Sequence, residues 1–376
     1  MSTEQIYKYT LQEPLSNKNA GFSKWGYASF DDQTFFIKEF LNPVYPTDDS
    51  PYDEEHKRII REQCSRFEEK RKQFYLAIDK VSDGNLLRVN DFFRWKTKYY
   101  IVTKKIESAV SDYSELQTVP MEERLRLCLV ILHAMAGIHS VGIVHADIKP
   151  SNIIITKTAR GKLTAKIIDM DSGFFRDDPP EEIIGDQVYF APETILYQIG
   201  EANAKPPGCE IDIFALGLVL HSILCGELPG LPPDCQYAYQ ALLTGHRIKI
   251  SDRIPGKLQA ILGAMLRKDP GDRLTAAHAY DAFSGYMFGE SVEIPAEKNS
   301  TAEAGDTAKT AGDTRAEKHT DDAASGSSES YVSGRLKINS LHISKPEAAS
   351  EKPADKAPEE EDPPLWSDYF HPAGDL

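Results

Sequence analysis

The stretch Val144-His145-Ala146-Asp147-Ile148-Lys149-Pro150-Ser151-Asn152 decides how the fold of this chain is interpreted. An apolar run further on ends in a second acidic motif, Ile167-Ile168-Asp169-Met170-Asp171. Phosphoryl transfer requires a carboxylate that orients the attacking hydroxyl and oxygen ligands that hold magnesium against the phosphates. Asp147, Asn152 and Asp169 are residues of these types, so the two segments together indicate a phosphoryl-transfer centre.

The two segments resemble the catalytic loop and the metal-binding motif of the eukaryotic-type serine/threonine protein kinase superfamily. The resemblance implies that Asp147 is the catalytic base and that Lys149 contacts the transferred phosphoryl group. It also implies that Asn152 and Asp169 bind Mg²⁺, with ATP as the phosphate donor. Either motif alone also occurs as a turn or strand end that only caps local structure, but their joint occurrence in this order favours a kinase.

The family resemblance implies an α+β, bilobal kinase-like fold. The chain of 376 residues, 41% hydrophobic and 27% charged, is long enough for two lobes. We expect a small β-rich lobe with one long helix at residues 1–103 and a larger, mainly helical lobe at residues 104–288. An acidic disordered tail is expected at residues 289–376, where large apolar residues are scarce.

The small lobe is predicted to carry a lysine that binds phosphate. The aromatic and β-branched run Gln33–Phe40 predicts a strand after a turn at Asp31 and Asp32. Within it, Lys38 matches the family's strand lysine, and the resemblance implies that it holds the α- and β-phosphates as a point charge.

The loop between the first two predicted strands, 7–15 and 25–30, departs from the family. A Gly-x-Gly-x-x-Gly loop lets backbone amides approach the phosphates. Here Gly21 is the only glycine of the loop, so we predict that the loop holds the nucleotide phosphates more weakly than in the family. The three glycine positions are taken by Lys18, Ala20 and Ser23.

A charged segment from Glu54 to about Ile78 predicts a long helix. In the family, a glutamate of this helix pairs with the strand lysine. Three glutamates remain open as candidates for that role: Glu62, Glu68 and Glu69.

Two further strands are predicted at Leu86–Phe93 and Lys98–Thr103. The resemblance places Thr103 at the back of the adenine pocket. It also makes Lys104 to Ile106 the hinge whose backbone binds adenine.

The distal part of the chain also matches the family pattern. Ala191-Pro192-Glu193 resembles the end of the activation segment, and Asp212–Gly217 resembles the start of a long buried helix. The resemblance implies that Glu193 pairs with Arg273, because a buried charge without a partner is costly.

We predict that activity does not require phosphorylation of the activation segment. Ala146 stands where many kinases carry the arginine that receives an activation-segment phosphate, and residues 169–193 contain no threonine. Their hydroxyl side chains are Ser172 and Tyr189. Asp171 and Asp186 replace the family's glycine and threonine, with a substrate role and plain backbone hydrogen bonding both open.

The tail carries most of the chain's net charge of −15, which argues against nucleic-acid and anionic-membrane partners. Aromatic residues near its end, Trp366, Tyr369 and Phe370 in segment 364–372, are candidates for docking a partner. The polar amino terminus predicts no signal peptide, and scattered cysteines predict reduced thiols and a cytoplasmic location.

Three functions compete at this stage. The leading one is an ATP- and Mg²⁺-dependent kinase that phosphorylates serine and threonine of protein substrates. Lys149 favours serine and threonine over tyrosine, and the Ala-Pro-Glu segment favours a protein over a small-molecule substrate. The second is a small-molecule phosphotransferase on a related fold. The third is a pseudokinase scaffold that acts through its tail, suggested by the degraded glycine loop.

Overall fold

The computed structural model of the chain describes residues 4–17, 23–290 and 293–296. An antiparallel sheet and one long helix are followed by a mainly helical region, which is the α+β architecture that the sequence predicted. The strands are β1 (Gln5–Ile6), β2 (Tyr9–Leu11), β3 (Ser23–Phe30), β4 (Gln33–Phe40), β5 (Val89–Trp95), β6 (Lys98–Lys104), β7 (Ile143–Val144), β8 (Ile153–Lys157), β9 (Leu163–Ile167) and β10 (Phe174–Phe175). The α-helices are α1 (Glu54–Val81), α2 (Met121–Ser140), α3 (Pro192–Gln198), α4 (Glu210–Cys225), α5 (Ala238–Leu243), α6 (Gly256–Met265) and α7 (Ala276–Phe288).

The six strands of the small lobe form one antiparallel sheet in the order β1-β2-β3-β4-β6-β5. The hairpin between β3 and β4 turns at Asp31 and Asp32, whose φ angles are 49° and 57°. Aspartate tolerates this left-handed conformation, which matches the twist of the flanking strands. The hairpin places Lys38 in an interior strand, opposite Trp25 of β3 and Ile101 of β6.

Helix α1 begins and packs as its sequence suggests. The Asp53 side chain accepts a hydrogen bond from the His56 amide at 2.8 Å and caps the first turn. Phe74, Tyr75 and Ile78 are buried on one side of the helix. They belong to a core shared with β5, β6 and the large lobe, so α1 joins the sheet to the rest of the protein.

Helix α4 is the buried centre of the large lobe. Every residue from Ile211 to Cys225 is buried, as expected for a helix that is apolar on all sides. It ends at Gly226, whose φ of 82° suits glycine and few other residues. Within the described residues, no helix is both long and apolar enough to cross a membrane.

Several predicted boundaries were wrong. Within the predicted first strand, residues 7–15, only β2 is a strand, and Tyr7, with a φ of 52°, turns the chain between β1 and β2. The strand expected from Leu86 begins only at Val89, and α1 continues to Val81. Helix α2 ends before Gly142, whose φ is 73°, and the two residues after it form β7.

Candidate active site

The predicted catalytic loop is a compact hydrogen-bonded unit. The Asp147 carboxylate oxygen Oδ2 lies 2.8 Å from Lys149 Nζ and accepts a hydrogen bond from Asn152 Nδ2 at 2.9 Å. Asn152 Nδ2 also donates to the Asp147 carbonyl at 2.8 Å. The loop sits between β7 and β8 and closes through a short 3₁₀ turn at Pro150–Asn152. The structure therefore brings together the three residues that the sequence nominated here.

Asp212 of α4 holds this loop in place, a role that the sequence analysis did not assign. Its side chain, 1% exposed, accepts hydrogen bonds from the backbone amides of His145 and Ala146 at 2.8 and 2.9 Å. His139 Nε2 lies 2.9 Å from the same carboxylate. Ala146 has a φ of 65°, a conformation that costs an alanine free energy and needs such support. The only signal in the sequence was an aspartate at the start of an apolar run.

Lys38 points across the cleft to two carboxylates of the segment after β9. Its Nζ lies 2.8 Å from Asp169 Oδ1 and 2.7 Å from Asp171 Oδ2. Burial lowers the pKa of Lys38, but the charges of Asp171 and Asp169 outweigh it and raise this pKa above its ordinary value. Burial raises the pKa of Asp169, yet the Lys38 charge dominates and holds it below its ordinary value. Lys38 and Asp169 are therefore both charged near neutral pH.

None of the three candidate glutamates of α1 pairs with Lys38. Glu68 accepts a hydrogen bond from the Tyr99 hydroxyl at 2.7 Å. Glu62 and Glu69 interact with an arginine and a glutamine of their own helix, at 2.5 and 2.7 Å. The helix reaches the acidic segment instead through Arg71, whose Nη2 donates to the Asp171 carbonyl at 2.8 Å.

A deep, largely apolar cleft lies beside these charges, between the sheet and the large lobe. Lys38, Asp169 and Asp171 form its polar end. Two buried hydroxyls in its wall, those of Tyr75 and Thr103, have no hydrogen-bond partner among the described residues. Burial raises the pKa of Tyr75, so its hydroxyl keeps its proton. The remaining wall is formed by Tyr27, Phe36, Ile78, Asp79, Leu87, Arg88, Val89, Ile101, Lys104, Lys105, Ile106, Ile154, Ile168 and Met170.

The cleft wall includes the predicted adenine pocket, with Thr103 and the hinge residues Lys104 and Ile106. The predicted phosphate loop is described only in part. Ser23 begins β3 and is buried opposite Phe40. Lys18, Ala20 and Gly21 lie outside the described residues, so their role in nucleotide binding stays a prediction.

The residue types around the cleft fit a magnesium ion that enters with a nucleotide. Mg²⁺ favours one or two protein oxygen ligands together with waters and substrate phosphates. Asn152 uses its amide nitrogen on Asp147, which leaves its amide oxygen available as a ligand. The Asp169 side chain is 36% exposed beside the cleft. Among the described residues, no group of three or more His, Cys, Asp or Glu side chains is arranged to hold a metal.

The activation segment carries its own backbone support. The Asp186 amide donates to Asp147 Oδ1 at 3.2 Å, and its carboxylate accepts from the Val188 amide at 3.0 Å. The Asp186 carboxylate thus makes the backbone hydrogen bond that one of the two interpretations expected, and a role in substrate choice stays a prediction. The predicted pair is confirmed at the end of the segment, where Arg273 Nη2 lies 2.7 Å from Glu193 Oε2.

The sequence matches the protein kinase domain family over residues 56–283. The matched range begins in α1, so it includes the catalytic loop and Asp169 but not β4 with Lys38. The assignment of Lys38 therefore rests on its ion pairs with Asp169 and Asp171.

Curated relatives share about a quarter of their residues with the chain over the aligned part. The serine/threonine-protein kinase DCLK3 of Mus musculus is 24% identical over 208 residues, which are 54% of this chain and 25% of the relative. The serine/threonine-protein kinase zyg-8 of Caenorhabditis elegans is 27% identical over 213 residues, 53% of this chain and 25% of the relative. Calcium-dependent protein kinase 17 of Arabidopsis thaliana is 28% identical over 191 residues, 50% of this chain and 34% of the relative. The chain thus spans much less than two thirds of these proteins.

Proposed function

This chain belongs to the protein kinase domain family, and we propose from that premise that it transfers the γ-phosphate of ATP to serine and threonine hydroxyls of proteins. One observation carries the proposal. In the catalytic loop, Lys149 and Asn152 both contact the Asp147 carboxylate. The loop is joined by the Asn152 carbonyl to the amide of Ile168, directly before the Asp169 that pairs with Lys38.

In the proposed reaction, Asp147 orients the substrate hydroxyl and accepts its proton. The hydroxyl oxygen forms a bond to the γ-phosphorus as the bond to the β–γ bridging oxygen breaks, and ADP leaves. Lys149 and Asn152 fix one oxygen of the Asp147 carboxylate and the Asp186 amide binds the other, so the base is held before substrate arrives. Such prior positioning removes part of the entropic cost of the reaction.

The nucleotide would bind with its base in the apolar cleft and its phosphates toward Lys38. The Thr103 hydroxyl and the backbone after β6 supply polar groups at the base end. Bound magnesium would neutralise phosphate charge, and Asn152 and Asp169 are the residues that would hold it. Lys38, 8% exposed, contributes a positive charge that water screens little.

Protein rather than small-molecule substrates are favoured by the segment that ends at Glu193. Its bidentate pair with the buried Arg273 fixes the chain after the catalytic loop against α4 and the large lobe. A fixed segment beside the reacting centre gives a polypeptide a surface to lie against. The tail residues Trp366, Tyr369 and Phe370 lie outside the described residues, and partner docking there stays a prediction, as does a cytoplasmic location.

The proposal is tested by transfer of labelled phosphate from ATP with magnesium, to generic protein substrates and to the chain itself. Asp147→Ala should abolish transfer while ATP binding persists. Asp281→Ala makes the same change at an exposed position of α7 and should leave transfer intact.

Two outcomes would contradict the proposal. Undiminished transfer by Asp147→Ala would show that this carboxylate is not the base. A folded wild type that binds ATP but transfers no phosphate to proteins, and phosphorylates only a small hydroxyl compound or nothing, would favour a small-molecule phosphotransferase or a scaffold.

A further inference from the structure

We propose that Asp171, rather than a glutamate of α1, is the carboxylate that positions Lys38 for the nucleotide phosphates. The inference deepens the function proposed above and rests on it. Lys38 Nζ lies 2.7 Å from Asp171 Oδ2 and 2.8 Å from Asp169 Oδ1. Since Asp169 is the residue proposed to bind metal, Asp171 is the carboxylate left to hold the lysine when a nucleotide is bound.

The acidic side chains of α1 are engaged elsewhere. Glu68 binds the Tyr99 hydroxyl at 2.7 Å, and the other two candidate glutamates face neighbours on their own helix. Asp79 lines the cleft but lies 3.1 Å from Arg88 Nε. Tyr75 of α1 also lines the cleft, but its buried hydroxyl keeps its proton and carries no negative charge to offer a lysine.

Asp171 is held by its backbone. It lies in a 3₁₀ turn at Met170–Ser172, directly after Asp169, whose φ is 59°. Its carbonyl accepts a hydrogen bond from Arg71 Nη2 at 2.8 Å. The Arg71 guanidinium is itself restrained, because it lies 5.6 to 5.9 Å from the ring centres of three phenylalanines: Phe40, Phe67 and Phe74.

The charges are the reverse of the family pattern, in which the long helix supplies the anion that pairs with the strand lysine. A cation of α1 binds the backbone of the acidic segment, and that segment supplies the anion for Lys38. The lysine partner therefore moves with the residues after Asp169 rather than with α1. A displacement of α1 would break the Arg71 hydrogen bond to the Asp171 carbonyl without removing the carboxylate that pairs with Lys38.

Asp171→Ala should weaken ATP binding roughly tenfold to hundredfold, the factor that corresponds to loss of one hydrogen bond between charged groups. Binding is measured directly by calorimetry with ATP, once with magnesium and once with EDTA. Glu68→Gln is the matched control on α1 and should leave both affinities unchanged. Because binding rather than turnover is read, the result stands even where the proposed transfer to proteins fails.

Weakened binding in EDTA supports a role through Lys38, which needs no metal to attract phosphates. Weakening seen only with magnesium would assign Asp171 to the metal and overturn the inference. Unchanged or tighter binding would also overturn it, since the aspartate would then merely repel phosphate.

A double-mutant cycle provides the second measurement. In a Lys38→Met background, Asp171→Ala should cause no further loss of ATP affinity, because the group it positions is gone. Additive losses would overturn the inference. Asp171→Asn keeps the shape of the side chain and guards against misfolding of the alanine variant, which a thermal melt would detect.

Discussion

Replacement of Asp212 should damage stability and catalysis together. The carboxylate is 1% exposed and accepts hydrogen bonds from two backbone amides of the catalytic loop, those of His145 and Ala146. It also contacts the His139 side chain. Asp212→Ala leaves the two amides buried and unpaired, at about 1 to 3 kcal/mol each. We therefore expect the free energy of unfolding to fall by roughly 2 to 6 kcal/mol, a large part of the ordinary 5 to 15 kcal/mol.

The same change should lower kcat. Without the two hydrogen bonds, nothing offsets the strain of the φ of 65° at Ala146, so we expect its backbone to relax and the adjacent Asp147 to shift. A displacement of about 1 Å at a reacting group costs on the order of 100-fold in rate. The KM for ATP should change little, because Lys38 and the cleft belong to other elements.

Asp91→Ala is the matched control. Asp91 in β5 is also buried, 5% exposed, and bonds to Tyr9 and Lys8 far along the chain from the catalytic loop. It should lose stability comparably in urea denaturation yet keep its kcat at a temperature where both variants are folded. A stability loss below about 1 kcal/mol for Asp212→Ala, or equal kcat in the two variants, would refute the reasoning. Asp212→Asn retains one acceptor oxygen and should fall between wild type and alanine on both measures.

Three more outcomes are expected. Glu193→Ala leaves the fully buried Arg273 guanidinium without its carboxylate partner and should lower the free energy of unfolding, measured in urea, by about 3 to 5 kcal/mol. A loss within experimental error would show that the hydrogen bonds from Arg273 to the Glu210 and Lys268 carbonyls are enough to stabilise the buried charge. Burial lowers the pKa of His221, whose Nε2 accepts a hydrogen bond from the Ser251 amide at 3.0 Å. As the pH falls, the unfolded chain therefore binds a proton at this residue before the folded chain does. The free energy of unfolding should then decrease as the pH drops below 6.5, the ordinary pKa of histidine. Melts of His221→Gln should lack that component of the fall, and an identical pH slope would contradict it. Phosphatase treatment should leave kcat unchanged, because residues 169–193 contain no threonine and Ala146 stands where the family's phosphate-binding arginine would be. Loss of turnover that a phosphate on Ser172 or Tyr189 restores would contradict this.

Local sequence was enough where a short segment carries its own signal. The turn before β4 could be predicted because two consecutive aspartates favour a turn and the following run is rich in aromatic and β-branched residues. The catalytic loop could be predicted because Asp147, Lys149 and Asn152 lie within six residues and contact one another. Strand ends were less accurate, since a single positive φ such as that of Tyr7 leaves no clear trace in composition.

Long-range pairing was harder to predict, because it depends on how elements dock. The sequence offered three glutamates for Lys38, yet the contact is made by a carboxylate more than a hundred residues away, next to Asp169. Helical periodicity identifies which side of α1 is apolar but not which residue faces a given lysine. Asp212 was missed for a similar reason, because its two amide donors lie 67 and 66 residues earlier in the chain.

The sequence by itself determined the family, the long helix between β4 and β5, and the residue types of the catalytic loop, because these depend on neighbours in the chain. Only the tertiary structure decided that Lys38 faces Asp171, that Arg71 replaces a glutamate as the contact from α1, and that Asp212 supports the loop. Those outcomes depend on packing of a buried core between distant segments, where small differences in position choose one ionic partner over another.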